Sequence, residues 1–230
     1  PIILLIFKIN GFINDNFYEL LTLLFTLAII LFLKKKNKIN FIKEDIKKIF
    51  YISTLSLFVI FFWVGFEQAG GSLTLYASNS VDRNLFGFIV PASFFQSINP
   101  LIIILLGPLI ANFWLRIDRS VYKINTSQKM GIGLILLSAG FFLIMYVNNS
   151  NASYISLWWL VGVYFLHTLG ELCLSPIGLS MVSKVSPKKI ASLMMGFWFL
   201  SAAIANYSAG KLPTILKLNN IDLFTFLTIM

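Results

Sequence analysis

The sequence is poor in the groups that carry covalent or redox chemistry. Among 230 residues there is one cysteine, Cys173, and one histidine, His167. A lone thiol inside an apolar run excludes a disulfide framework, and no Cys/His spacing matches a metal site, so neither a metal nor another cofactor is expected. No HExxH pair occurs, and no glycine-rich segment ends in Gly-Lys-Ser or Gly-Lys-Thr, which excludes those zinc-protease and P-loop motifs. Acidic residues are scarce too: nine Asp and Glu stand against eighteen Lys and Arg, a net charge of +9. In a soluble protein that imbalance would raise nucleic-acid binding. Here the basic residues punctuate apolar runs and line no single face, so no nucleic-acid partner is expected. The chain opens at Pro1 without an initiator Met or the order of a signal peptide. It stops at Met230 inside an apolar run, and is expected to be a fragment of something longer.

What the sequence has in excess is apolar surface. Hydrophobic residues make up 58% of the chain, 23 of them phenylalanine, more than one soluble core of this length buries. The solvent for most of it is therefore lipid, and the fold class is an all-α, polytopic transmembrane helical bundle. A helix needs about 20 apolar residues to cross a bilayer, and tilt accommodates longer runs. Helices are predicted at about residues 17–33, 50–78, 86–115, 128–147, 154–182 and 190–212, with the tail of one before Phe7 and the start of another after Ile221.

The connecting segments alternate in basic content, as the positive-inside rule requires. One set carries Lys34, Lys35, Lys36, Lys38, Lys43, Lys47 and Lys48, then Arg116, Arg119, Lys123 and Lys129, then Lys184, Lys188 and Lys189; these are assigned to the cytoplasm. The opposite set holds only Lys8, Arg83, Lys211 and Lys217 and faces outward. The Lys34–Lys48 segment reads either as a cytoplasmic linker or, given the spacing of Ile39, Ile42, Ile46 and Ile49, as a lipid-binding helix.

Two charges remain inside the apolar spans, Glu67 and Glu171, and neither has a basic partner on its own helix. A carboxylate at the bilayer centre costs about 3 kcal/mol even on lenient insertion scales, so such residues usually face a cavity and mark an ion or substrate path. The alternative is a protonated carboxyl hydrogen-bonded to a neighbouring helix. Gln68 adjoins Glu67, and His167 lies one turn before Glu171 on the same face, either as a proton shuttle or as an interhelical hydrogen-bonding residue. Gln96, Ser97 and Asn99 precede Pro100 and interrupt the following span. Asn99 and the carbonyls freed by Pro100 need partners on neighbouring helices or in a water-lined cavity. Pro91, Pro108, Pro176 and the Gly70-Gly71 pair permit kinks and close helix contact, and Trp63, Phe66 and Trp198 either line a pocket or pack against lipid.

Three stretches, FFWVGFEQAGGSLTLYA, PASFFQSINPLIIILLGPLIA and GELCLSPIGLSMVSKVSP continuing into MMGFWFLSAAIANYSAG, resemble the proton-dependent oligopeptide transporter family of the major facilitator superfamily. The resemblance covers that family's seventh to eleventh helices. It implies insert helices over residues 1–33, a basic cytoplasmic linker over 34–49, and a carboxy-terminal six-helix bundle over 50–230. It also implies that Glu67, in the FEQ motif with Gln68, takes part in an extracellular gate or in proton coupling. By the same resemblance Glu171 receives a peptide's amino terminus with Asn99 assisting, Ser175 supports the pocket, and Trp63 and Trp198 bound the space for side chains.

The implied activity is proton-coupled symport of di- and tripeptides by alternating access, in a cell (inner or plasma) membrane. Its partners would be peptides, protons, the lipid bilayer and a missing amino-terminal half. A zwitterionic peptide needs a basic group as well as an acidic one, and nothing here matches the ExxERFxYY motif that the family carries in its first half, so the chain is not expected to transport alone. Three other readings stand beside this one. A transporter of another small solute shares the fold-level resemblance. A non-transporting helical subunit leaves both carboxylates without a purpose. A membrane-embedded hydrolase lacks a ligand pair beside either Glu, and no enzyme activity is expected.

Overall fold

The computed structural model of the protein describes residue 31 and residues 42–121, 123–148 and 154–230. The insert helices expected before residue 34 lie outside these residues apart from helical Leu31, as does the linker up to residue 41. The first complete helix, α1 (Lys43–Phe66), starts earlier than the apolar run that predicts it. Glu44 and Asp45 occupy its first turn, where acidic groups complement the helix dipole. Lys43, Lys47 and Lys48 stay exposed while Ile49 and Ile52 are buried, so the end of the lysine-rich segment is an amphipathic first turn of a span.

Helix α1 does not run on to residue 78. It tightens into a 3-10 turn at Glu67–Gly70, breaks at Gly71 and resumes as α2 (Ser72–Ser80). The next expected span also begins late. Residues 81–90 form short strands instead: β1 (Val81–Asp82), then β2 (Asn84–Leu85) and β3 (Phe88–Ile89), an antiparallel hairpin turning at Phe86 and Gly87 with φ of 51° and 87°. Positive φ is unstrained for glycine, and the Phe-Gly pair supplies the turn. Strand β1 pairs in parallel with β4 (Ile155–Ser156), joining the outer end of α2 to the start of a later helix.

A 3-10 turn at Ala92–Ser97 leads into α3 (Ile98–Arg119), which takes Pro100 in its first turn, where no intrahelical N–H is lost, and carries Pro108 inside. Helices α4 (Thr126–Asn148), α5 (Leu157–Val185), α6 (Ala191–Leu218) and α7 (Leu223–Ile229) follow, the last capped by Asp222, whose side chain accepts from the Thr225 N–H at 2.7 Å. Among the described residues five segments are long and apolar enough to cross a membrane: Lys43–Ser80, Ala92–Arg119, Thr126–Asn148, Leu157–Val185 and Lys188–Leu218. The all-α membrane bundle is therefore observed.

The tightest packing joins α4 to α5. A Cβ on Gly133 would stand 2.7 Å from the Gly170 carbonyl oxygen, and one on Gly170 would stand 2.7 Å from that of Gly133. Only glycine allows backbones this close, which is how membrane helices gain contact without a hydrophobic driving force between them. Helix α1 packs along α6, and α7 against α4. Helix α3 leans on α5 and leaves Leu101, Ile104, Leu105, Leu109 and Phe113 exposed, as suits a lipid or helix neighbour. The two ends differ chemically: Tyr146, Tyr154, Trp158 and Trp159 cluster at the outer ends of α4 and α5, an interfacial aromatic belt, while Arg116, Arg119, Lys184, Lys188 and Lys189 mark the other end.

Candidate functional site

The break after α1 sets the site. Glu67 opens the 3-10 turn and is exposed; Gln68, its neighbour, points the other way and is buried. Gln68 donates through Nε2 to the carbonyls of Val64 at 3.2 Å and Ala209 at 3.1 Å, and its Oε1 accepts from Ser72 Oγ at 2.7 Å. All its polar groups are engaged in tying the turn to α6. With Gln68 held there, the chain delivers Glu67 to a cavity of about 210 Å³ that Phe66, Gln96, Asn99, Tyr164, His167 and Thr168 also line.

Glu171 sits on α5, half-buried, one turn past His167. Its Oε2 accepts from Asn99 Nδ2 at 2.7 Å, and the same amide nitrogen lies 3.2 Å from Thr168 Oγ1. Asn99 is the second residue of α3, held there by the 3-10 turn ahead of it, and so bridges α3 to α5. Thr168 donates back to the Tyr164 carbonyl at 2.7 Å, and the Tyr164 hydroxyl donates to the Ala69 carbonyl at 3.2 Å. Through Tyr164 the helix that carries Glu171 is joined to the turn that carries Glu67, and the two carboxyl groups lie within each other's field. Gln96 completes the rim by donating to Thr74 Oγ1 at 3.0 Å.

Glu67 and Asn99 thus line one polar volume, and Glu171 stands beside it through its bond with Asn99. The other expected residues, Trp63, Trp198 and Ser175, do not line it. Trp63 packs edge-on against Phe62 and Phe66, with ring centres 5.6 and 5.3 Å away. Trp198 is buried, its ring filling the notch left by Gly178 at the α5–α6 contact. Ser175 is half-buried one turn beyond Glu171, beside Pro176. His167 is fully buried with its ring against Gly140 of α4 and 4.5 Å from the Phe141 ring centre, and neither ring nitrogen makes a hydrogen bond of ordinary geometry. Sequence reasoning missed Tyr164 and Thr168. Their spacing from Glu171, at 164, 168 and 171, is the one-face pattern of a helix and was the available signal.

Chemically, the site offers carboxylate oxygens around a small polar cavity within apolar helices. Such a site suits a cation or an ammonium group, since a carboxylate in low dielectric gains most from an opposite charge brought against it. Among the described residues no group of three or more His, Cys, Asp or Glu is arranged to hold a metal.

The profile of PTR2, the POT family, matches residues 12–226. "Peptide transporter YePEPT" of Yersinia enterocolitica subsp. palearctica is 35% identical over 185 residues, covering 79% of this chain and 36% of that protein. "Dipeptide and tripeptide permease A" of Proteus mirabilis is 33% identical over 173 residues, covering 74% of this chain and 35% of the relative. A crystal structure of a POT family transporter in complex with a thioalcohol-conjugated peptide superposes with a TM-score of 0.77 at 28% identity, covering 99% of this chain and 48% of that one. The chain spans about a third of the length of the curated relatives it matches.

Proposed function

The chain belongs to the POT family, and on that premise we propose that it forms the acidic side of a peptide-binding cavity in a proton-coupled symporter of di- and tripeptides. The observation that carries this reading is the Asn99–Glu171 pair, a carboxylate oriented by an amide at 2.7 Å beside a polar cavity. A peptide's terminal ammonium is the natural counter-charge for Glu171. Asn99 fixes one carboxylate oxygen and leaves Oε1 to meet it. Glu67, on the broken end of α1, is the proton-coupling or gating group, and Gln68 is the tie that sets its direction.

The peptide's carboxylate needs a basic group on the opposite wall, and the described spans place no Lys or Arg beside the cavity. That group belongs to an amino-terminal segment of the kind the longer relatives have, packed against the exposed face of α3. Transport then follows from rocking of the two halves about the midplane cavity. A proton moving down about 100 mV releases roughly 2.3 kcal/mol, nearly fifty-fold accumulation of a neutral peptide per proton.

The test is uptake of a labelled dipeptide into proteoliposomes under an imposed pH gradient. The samples are this chain alone and this chain joined to the amino-terminal segment of a relative. Uptake only by the joined protein, abolished by collapsing the gradient, is the expected result. Gradient-driven uptake by the chain alone would contradict the need for a second half. No peptide uptake by a folded joined protein would contradict the substrate.

A further inference from the structure

On the side of α5 turned away from Glu171 lies a second, larger cavity that the transport reading does not use. Its volume is about 580 Å³, and α3, α4 and α5 enclose it near the basic end of the bundle. Helix geometry separates it from the Glu171 site. Pro176 and Ser180, which line it, follow Glu171 by five and nine positions, which at 3.6 residues per turn rotates them by about 140° and 180°. Glu171 and this cavity therefore open to opposite sides of the same helix, and the cavity faces outward between helices.

Its walls combine two chemistries. Ile110, Leu115, Leu172, Ile177 and Met181 supply apolar surface. At the basic end Lys129, only 7% exposed, holds its Nζ 2.5 Å from Asp118 Oδ1 and 5.1 Å from the centre of the Trp114 ring. Lys184 also lines the cavity, is exposed, and makes no ion pair with the described residues. The Trp114 indole N–H is buried, lies beside the Cys173 thiol and makes no hydrogen bond of ordinary geometry. Two lysines against one aspartate leave the cavity with an excess positive charge.

We propose that this crevice binds an anionic phospholipid of the cytoplasmic leaflet. The phosphodiester meets Lys184 and the Lys129 ammonium, and an acyl chain runs along the apolar wall of α3 and α5. Three observations converge. The basic loops put this end at the cytoplasmic surface, where anionic lipid is concentrated. Basic pockets between membrane helices on that side suit such headgroups. The apolar wall continues from the charged end into the span, which a free phosphate ion would leave uncovered.

Native mass spectrometry of the full chain, purified from its own membrane, tests this with phosphatidylglycerol, phosphatidylcholine of the same acyl chains, and inorganic phosphate as separate probes. The expected result is retention of phosphatidylglycerol at least about five-fold above phosphatidylcholine, the preference one lysine confers. Lys184→Gln should erase that preference and Lys184→Arg should keep it. Lys184 is exposed, so an unchanged unfolding temperature shows that both variants fold. A photoactivatable phosphatidylglycerol should label the peptides containing Ile110 and Ile177. Equal retention of the two lipids, an unaltered preference in Lys184→Gln, displacement of the lipid by millimolar phosphate, or labelling confined to other segments would each overturn the proposal.

Discussion

Asn99 and Glu171, 72 residues apart in sequence, meet across α3 and α5 with Asn99 Nδ2 donating to Glu171 Oε2 at 2.7 Å. A hydrogen bond to a charged group contributes about 1.5–3 kcal/mol, more than one between neutral partners. Asn99→Ala should therefore weaken dipeptide binding about ten- to hundred-fold in the joined transporter and lower the unfolding temperature as well, since the bond is present without ligand. Isothermal titration with a dipeptide checks this; unchanged affinity would mean that Asn99 does not orient the carboxylate.

Gly133 and Gly170 let α4 and α5 approach until each would-be Cβ meets the opposite carbonyl oxygen. Overpacking a rigid contact of this kind costs about 1–3 kcal/mol. Gly133→Ala should lower the thermal unfolding temperature in detergent, whereas Gly131→Ala, with open space around the position, should leave it unchanged or raised. Equal effects would remove the close approach as an explanation of the packing.

His167 fills the notch at Gly140. Gly140→Ala alone should destabilise the chain by driving a methyl group into the imidazole. His167→Ala in the same molecule should recover part of the loss. Additive losses in the double variant, read by thermal unfolding, would show that the two positions are not coupled.

The five spans were legible because long apolar runs in a chain this hydrophobic have no other stable form. Their ends were not. Lys43, Lys47 and Lys48 read as linker, yet they are the solvated side of a first helical turn, a distinction that depends on Ile49 and Ile52 finding a core. Residues 86–90 read as helix because Phe88, Ile89 and Val90 are apolar, while the Phe86-Gly87 turn that makes them a hairpin is a two-residue signal. Glu67 and Glu171 stood out as unpaired charges in spans, but their proximity arises from tertiary packing through Tyr164, which no local spacing encodes. Lys129 read as one more topology charge in a loop; it is nearly buried because Asp118 and Trp114 receive it.

Gln68 donates to Val64 and Ala209 and accepts from Ser72. Gln68→Leu leaves the Ala209 carbonyl without that partner, a loss of about 1–3 kcal/mol. The expected outcome is faster amide hydrogen exchange in Glu67–Gly71 and the outer part of α6, with α4 and α5 unaffected. Exchange that rises uniformly over the chain would point to general unfolding rather than to a local tie.

The central claim, that Glu171 receives the peptide's ammonium, is tested most directly by comparing a dipeptide with its N-acetylated form as inhibitors of labelled-dipeptide uptake in the joined transporter and in Glu171→Gln. The account predicts that the unmodified protein prefers the free amine by about a hundred-fold, as breaking a charge pair of about 3 kcal/mol requires. In Glu171→Gln that preference should collapse toward unity. Discrimination that survives the substitution intact would contradict the assignment and move the ammonium site elsewhere.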